Sequence, residues 1–231
     1  TANHVGLVYT DLAKKALKHD RIRKTFSCED NYFRELGGIL GTFVKDNRIP
    51  EDRIEGVGIA LPGIVDRQKN ILTQSHILKI ENVSLERWAN AIPYPCELLN
   101  DANAAAITED VCCRKPENSM VYLSLSNSVG GAAVSAAEMK GNDGIKNNLD
   151  GGEMYMGDNW RSGEFGHMVI HPEGKTCYCG KKGCLDAYCS ALNLAALEEG
   201  NLKAFFDKME SGYGEYSRIW EEYLQNLAIA I

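Results

Sequence analysis

Four of the eight cysteines lie within thirteen residues, and three of them have the spacing of a metal-binding loop. Cys177, Cys179 and Cys184 form a C-x-C-x4-C pattern that contains Gly180 and Gly183. Glycine accepts the tight backbone that three thiolates need in order to surround one point. Because thiolate sulfurs are preferred ligands of Zn²⁺, the pattern predicts a zinc site.

A tetrahedral Zn²⁺ needs a fourth ligand beside three thiolates. His167, ten residues before Cys177, is the predicted ligand, and His171 and Cys189 are the alternatives. With all four positions taken by protein side chains, the ion would be structural rather than catalytic.

A disulfide framework is the competing interpretation of these cysteines. A chain of 231 residues is too large to need one, and its first residues do not form a signal peptide. The zinc interpretation is therefore favoured.

A second group of polar residues follows a short apolar strand. Asn100 and Asp101 come directly after the predicted strand 96–99 and begin a helix that runs to about Cys113. In open α/β sheets ligands bind beyond the carboxyl ends of the strands, so Asn100 and Asp101 are candidate ligand-binding residues. A role of Asp101 as a helix N-cap is the structural alternative.

Four motifs follow one another along the chain. Residues 58–66 match G-x-x-x-P-G-x-V-D, residues 100–106 match N-D-x-N-A-A-A, residues 154–164 form a loop that leads to Glu164, and residues 163–186 carry G-E-x-G-H and the cysteine pattern. These motifs, in this order, resemble those of the ROK family of sugar kinases and sugar-responsive repressors, in which the residue matching Glu164 is a sugar-binding glutamate. The resemblance implies an actin-like ATPase (ribonuclease H-like) fold, with two α/β domains and a sugar in the cleft between them.

The resemblance also implies roles for individual residues. The implied sugar-binding residues are Pro62, Gly63, Asn100, Asp101, Glu164, His167 and Asp186. In the family's kinases, the aspartate matching Asp101 is the general base that accepts the proton of the attacking hydroxyl. His167 would bind zinc through one ring nitrogen and face a sugar hydroxyl with the other. The family has Glu at 186, so the shorter Asp186 is expected to reach the sugar through water or not at all.

The two phosphate loops of the family's kinases are changed or lacking in this sequence. No D-x-G-G-T motif occurs, and its expected place lies before Thr1. The second loop, G-T-G-I-G, aligns with residues 126–130, where serine replaces two glycines and Gly130 and Gly131 remain. Side chains there obstruct the close approach of backbone to phosphate, so the changes predict weak ATP binding.

These features predict the sugar-sensing domain of a ROK-type transcriptional repressor, which would contact DNA only through a domain outside this sequence. Sugar binding would change the arrangement of domains, or of a homodimer or higher homo-oligomer, and with it the affinity for the operator. The alternative is an ATP-dependent sugar kinase with Mg-ATP as its cosubstrate and Asp101 as its base. A domain that binds neither sugar nor ATP is disfavoured, because Asn100, Asp101, Glu164 and His167 are all present.

Strands and helices occur in both halves, which predicts two α/β domains, residues 1–114 and 115–231. The predicted strands are 5–9, 54–61, 96–99, 120–126, 130–137 and 168–170. The predicted helices are 30–46, 84–91, 100–113, 185–197, 201–210 and 216–231. The strand of the first phosphate loop is missing and the last helix reaches Ile231 without a cap, so both ends are expected to be truncated.

The composition excludes several classes of function. Lys and Arg number 25 against 32 Asp and Glu, and a net charge of -7 opposes direct nucleic-acid binding. Residues 118–137 carry no charge, but their serines, asparagines and glycine pair indicate two strands rather than a membrane span. A hydrophobic content of 44% supports a packed core. The sequence thus predicts a cytoplasmic protein that does not bind a membrane.

Overall fold

The computed structural model describes residues 2–113, 118–136 and 153–231, which form two compact units, Thr1–Asp101 and Ala102–Ile231. The division falls before the predicted boundary after residue 114, because helix α3 (Asp101–Cys113) packs within the second unit. There Asn103 Nδ2 donates to Met156 Sδ at 3.8 Å. Residues 114–117, at the predicted boundary, lie outside the described residues.

The first unit contains three small sheets and two helices. Its strands are β1 (His4–Thr10), β2 (Ala16–Arg23), β3 (Val57–Leu61), β4 (Ile64–Asp66), β5 (Ile71–Ser75), β6 (Ile80–Ser84) and β7 (Cys96–Asn100). Its helices are α1 (Asp30–Asp46) and α2 (Glu86–Ala89), with a 3-10 turn at Glu51–Arg53. β1 and β2 form one antiparallel sheet, and β4, β5 and β6 form a second antiparallel sheet in that order. β3 and β7 form a parallel pair.

The parallel pair is the part of the first unit that positions candidate site residues. Its register places Leu61 opposite Asn100, so the carboxyl ends of both strands meet at one edge. Leu98 in β7 is buried at 1% exposure, and Phe33 of α1 packs edge-on against Trp88 of α2 at 4.8 Å between ring centroids. The predicted strands β1, β3 and β7 and the predicted helix α1 are all present, whereas β2, β4, β5 and β6 were not predicted.

The described residues of the second unit combine one sheet with a group of helices. Its strands are β8 (Met120–Leu125), β9 (Val129–Ser135) and β10 (Glu153–Met154), all antiparallel in the order β10–β9–β8. After α3, its helices are α4 (Asp186–Cys189), α5 (Ala191–Ala195), α6 (Leu202–Glu210) and α7 (Gly214–Ala230). Phe205 of α6 is fully buried at the centre of a cluster that also contains Leu185 and Tyr223.

Two predictions for this unit were wrong in detail. The predicted helix 185–197 is two helices, because Ser190 between them has an extended backbone (φ -79°, ψ 146°). The predicted strand 168–170 is only an isolated bridge between Val169 and Cys184, since this segment pairs with the cysteine loop and not with the sheet. Within the described ranges, no helix combines the length and apolar character needed to cross a bilayer.

Candidate metal centre and sugar-site residues

The four predicted metal ligands converge in the second unit. His167 ends the 3-10 turn Phe165–His167, and the three cysteines lie on the loop that follows it. His167 Nδ1 lies 3.7 Å from Cys177 Sγ, and Cys179 Sγ lies 3.7 Å from Cys184 Sγ. All four ligand atoms lie within 4.8 Å of one another.

Local hydrogen bonds give the cysteine loop its shape. The Cys177 N–H donates to the Lys181 carbonyl, and the Gly180 N–H donates to the Cys177 carbonyl, which closes a turn. Gly183 has a φ of +76°, and a side chain there would collide with the His171 carbonyl. The two glycines inside the cysteine pattern therefore allow the turn that brings the sulfurs together.

The donor set fits a tetrahedral Zn²⁺. Metal–sulfur bonds of about 2.3 Å and metal–nitrogen bonds of about 2.0 Å place neighbouring ligand atoms roughly 3.5–3.8 Å apart, close to the two distances above. A disulfide would need a sulfur separation of about 2.05 Å, which the Cys179–Cys184 pair does not have. Burial raises the pKa of the Cys177 thiol to about 12, so a bound cation would have to displace its proton.

The two alternative fourth ligands are engaged elsewhere. His171 Nε2 lies 2.6 Å from Asn226 Oδ1, and the His171 ring packs edge-on against Tyr188. Cys189 is fully buried, and its thiol donates to the Tyr223 carbonyl at 3.5 Å. Of the three candidates, His167 is therefore the one that faces the three thiols.

Glu164 lies on the opposite side of the His167 ring from the thiols. Its Oε2 is 3.9 Å from His167 Nε2, and its side chain is 39% exposed against 16% for His167. The histidine can thus use Nδ1 for a metal while Nε2 stays beside the carboxylate. This arrangement provides an acceptor and a ring nitrogen next to each other for a polar ligand.

The predicted sugar residues of the first unit also lie together. Asn100 ends β7 and Asp101 begins α3, at the carboxyl end of the parallel strand pair. Asn100 Nδ2 donates to the Gly63 carbonyl at 2.9 Å, so the loop with Pro62 is tied to the strand that carries Asn100. Gly63 has a φ of +135°, a conformation that favours glycine.

The remaining predicted residues surround the turn between β8 and β9. Gly130 and Gly131 are part of β9 itself and pair with Ser124 and Leu123. Asp186 is 4% exposed, and its carboxylate accepts a hydrogen bond from the Val129 N–H. Burial raises the pKa of the Asp186 carboxyl, and this hydrogen bond lowers it in part.

Two residues that sequence reasoning did not select contact His167, and a third, Asp66, orders the turn after β4. The ring of Tyr178 packs edge-on against His167 at 5.3 Å between centroids, and Lys181 Nζ donates to the His167 carbonyl. Tyr178 and Lys181 lie inside the cysteine pattern, and this position was the available sequence signal for their contact with the cluster. Asp66 closes its own turn by accepting from the Gln68 and Lys69 N–H groups at 3.0 Å, which keeps its pKa below the usual range.

Comparisons with known proteins agree with this architecture. The chain is 33% identical over 138 residues to the xylose repressor of Bacillus spizizenii, covering 58% of this chain and 32% of the repressor. It is 32% identical over 119 residues to N-acetylmannosamine kinase of Shigella boydii, covering 52% of this chain and 35% of the kinase. The chain thus spans about a third of the length of these curated relatives.

The fold is that of known sugar kinases. A ROK family glucokinase from Streptomyces griseus, solved with glucose and AMPPNP, superposes with a TM-score of 0.75 at 17% identity, covering 98% of this chain and 74% of that one. The two α/β units therefore have the actin-like ATPase fold. The model of the family described as "ROK family" matches residues 2–231. This match spans nearly the whole sequence, and the chain belongs to the ROK family.

Proposed function

We propose that the chain is the sugar-binding effector part of a ROK-type transcriptional repressor, which binds its sugar without phosphorylating it. The observation that carries the proposal is the turn at residues 126–130, where serine stands at two positions that are glycine in the family's kinases. DNA would be contacted through a domain outside this sequence. Effector binding in the cytoplasm would change the arrangement of a homodimer and so the operator affinity.

The hydrogen bonds of the turn support this choice. The Ser126 N–H donates to the Ser128 carbonyl at 3.3 Å, and the Ser126 hydroxyl donates to the same carbonyl at 3.2 Å. The Val129 N–H is used by the Asp186 carboxylate. A phosphate-binding loop works by offering free backbone N–H groups, and two such groups of this turn already have partners.

The proposed sugar ligands are amide, carboxylate and imidazole groups. Asn100 and Asp101 offer an amide and a carboxylate beside the Pro62–Gly63 loop, while Glu164 and His167 offer a carboxylate and an imidazole. Carboxylates and amides are suited to hydroxyl-rich ligands, since each accepts or donates hydrogen bonds at fixed places.

The Cys3His cluster supplies stability rather than chemistry in this proposal. Zn²⁺ is the proposed ion, held by His167, Cys177, Cys179 and Cys184, and four protein ligands leave no open position for a substrate. Its effect on the sugar is indirect: it holds the His167 ring in one orientation and one tautomer.

An ATP-dependent sugar kinase is the second candidate. Asp101 favours it, because a carboxylate after β7 is what a kinase of this fold needs to accept the proton of the attacking hydroxyl. The similarity to N-acetylmannosamine kinase is also consistent with it. Under this hypothesis Mg-ATP would be the cosubstrate.

One pair of assays on the full-length protein separates the two. ADP release is measured with Mg-ATP and a panel of hexoses, pentoses and N-acetyl sugars, and calorimetry measures binding of the same sugars. The proposal expects sugar binding with no turnover, and an Asp101→Asn variant with weakened binding. The kinase would be established instead by sugar-dependent turnover that is lost in Asp101→Asn. The exposed-site control Asp52→Asn should then keep that turnover. Absence of both binding and turnover would overturn both candidates.

A further inference from the structure

The turn between β8 and β9 is held by the segment that follows the metal loop. The Ala191 N–H of α5 donates to the Ser126 carbonyl at 2.8 Å, and the Val129 N–H donates to the Asp186 carboxylate of α4. One residue on each side of the turn is thus fixed by residues about sixty positions later in the chain.

Asp186 is itself firmly placed. It lies two residues after the metal-ligand candidate Cys184 and begins α4, and its carbonyl accepts from Asn193 Nδ2 at 3.1 Å. Its side chain has almost no solvent exposure. A short, buried carboxylate that already accepts a backbone N–H is suited to hold that backbone rather than a ligand.

We propose that Asp186 is a positioning residue, which fixes Val129 and the turn before it against the metal loop and does not contact the sugar. Asp186 was expected to reach the sugar through water or not at all, and the proposal gives its carboxylate a structural role instead. That Asp186 fixes Val129 can be tested independently of any ligand, while the effect of Asp186 on sugar affinity rests on the proposed function.

Val129 is also where the Glu164 segment touches the sheet. A side chain at Gly166 would collide with the Val129 carbonyl, and one at Gly163 would collide with the Gly131 carbonyl. The backbone on both sides of Glu164 therefore lies directly on the first residues of β9. Asp186 holds the N–H of Val129 and Gly166 packs on its carbonyl, so displacement of Val129 would displace the Glu164 segment as well.

The experiment compares Asp186→Ala, which removes the acceptor, with Asp186→Asn, which keeps an acceptor oxygen and removes the charge. Asp207→Ala, at an exposed carboxylate of the same unit, is the control. Amide hydrogen exchange of Val129 and its neighbours is measured by NMR in zinc-loaded protein, together with zinc content and sugar affinity. If Asp186→Ala does not fold, Asp186→Ser provides a shorter polar side chain.

Positioning predicts that Asp186→Ala keeps its zinc, exchanges the Val129 amide about tenfold faster or more, and binds sugar more weakly. Asp186→Asn should restore slow exchange and most of the affinity. Unchanged exchange in Asp186→Ala or Asp186→Ser would overturn the proposal. So would an Asp186→Asn protein that loses sugar binding while Val129 stays protected, because the charged oxygen would then be a sugar ligand. If the wild type binds no sugar, the proposed function fails, but the exchange comparison still tests Asp186.

Discussion

The imidazole of His167 lies with its Nδ1 atom 3.7 Å from the sulfur of Cys177. The opposite ring nitrogen, Nε2, is 3.9 Å from the Glu164 carboxylate. A metal ion on Nδ1 would leave the proton on Nε2, where it can be donated. The candidate metal ligands and the partly exposed Glu164 carboxylate are therefore linked through one side chain.

Loss of one thiol is expected to abolish metal binding. Loss of a residue that only hydrogen-bonds a metal ligand lowers metal affinity by up to roughly 100-fold. Cys184→Ser removes a ligand itself, so it should lower zinc affinity by more than that. Its thermal midpoint should also fall, since metal binding stabilises the folded loop. Zinc content and melting temperature are measured for this variant and for Cys112→Ser, whose thiol is exposed and outside the cluster. One zinc per chain in Cys184→Ser would contradict the assignment.

Neutralising Glu164 should separate sugar binding from metal binding. Glu164→Gln is expected to lower the sugar affinity by about 10–100-fold, because a hydrogen bond to a charged group contributes about 1.5–3 kcal/mol. Zinc content should not change, because Glu164 faces Nε2 and not the thiols. Calorimetry and metal analysis are compared with Glu173→Gln, whose carboxylate pairs with Lys182 at the surface. Loss of zinc from Glu164→Gln would show that the carboxylate supports the metal ligand.

The metal cluster could be predicted because its information is local. Three thiols and the glycines that turn the loop lie within eight residues, so spacing alone brings the sulfurs together. His167 was predicted as the fourth ligand ahead of His171 and Cys189, and its Nδ1 lies against Cys177. The loop with Pro62 and Gly63 and the strand before Asn100 were also recognisable from short motifs.

The contacts that depend on distant parts of the chain could not be predicted. The Val129–Asp186 hydrogen bond joins residues 57 positions apart, and no local pattern indicates which N–H a buried carboxylate will find. The strands β4 to β6 are three to five residues long, too short for alternation to distinguish them from loops. The isolated Val169–Cys184 bridge was mistaken for a strand because its apolar residues match strand composition while their partner is a loop.

A side chain at Gly63 is expected to disturb the loop beside Asn100. The backbone there has a φ of +135°, and an added Cβ would lie 2.5 Å from the Gln74 carbonyl oxygen and 2.8 Å from Ser75 Cβ. Gly63→Ala should therefore lower the free energy of unfolding by about 1–3 kcal/mol and weaken sugar binding. The matched control is Gly58→Ala in β3, where an added Cβ meets no atom within 4 Å. Equal denaturation midpoints for the two variants would refute the expected strain of a side chain at position 63.

An acid-dependent stability should come from Glu198. Its carboxylate accepts hydrogen bonds from Lys208 Nζ, at 2.7 Å, and from the Tyr216 hydroxyl, and these contacts hold its pKa below the ordinary value of 4.5. A lowered pKa in the folded state means that the ionised form stabilises the fold above about pH 4.5. This contribution disappears as the pH falls through the lower folded-state pKa.

Glu198→Gln should consequently be less stable than the wild type at neutral pH. The difference should shrink as the pH falls below 4.5, because the wild-type carboxylate becomes protonated and loses its charge-assisted partners. Urea unfolding at several pH values measures this convergence, with Glu210→Gln at an exposed position as the control. A gap between wild type and Glu198→Gln that stays constant down to pH 3 would mean that the contacts act through packing and not through charge.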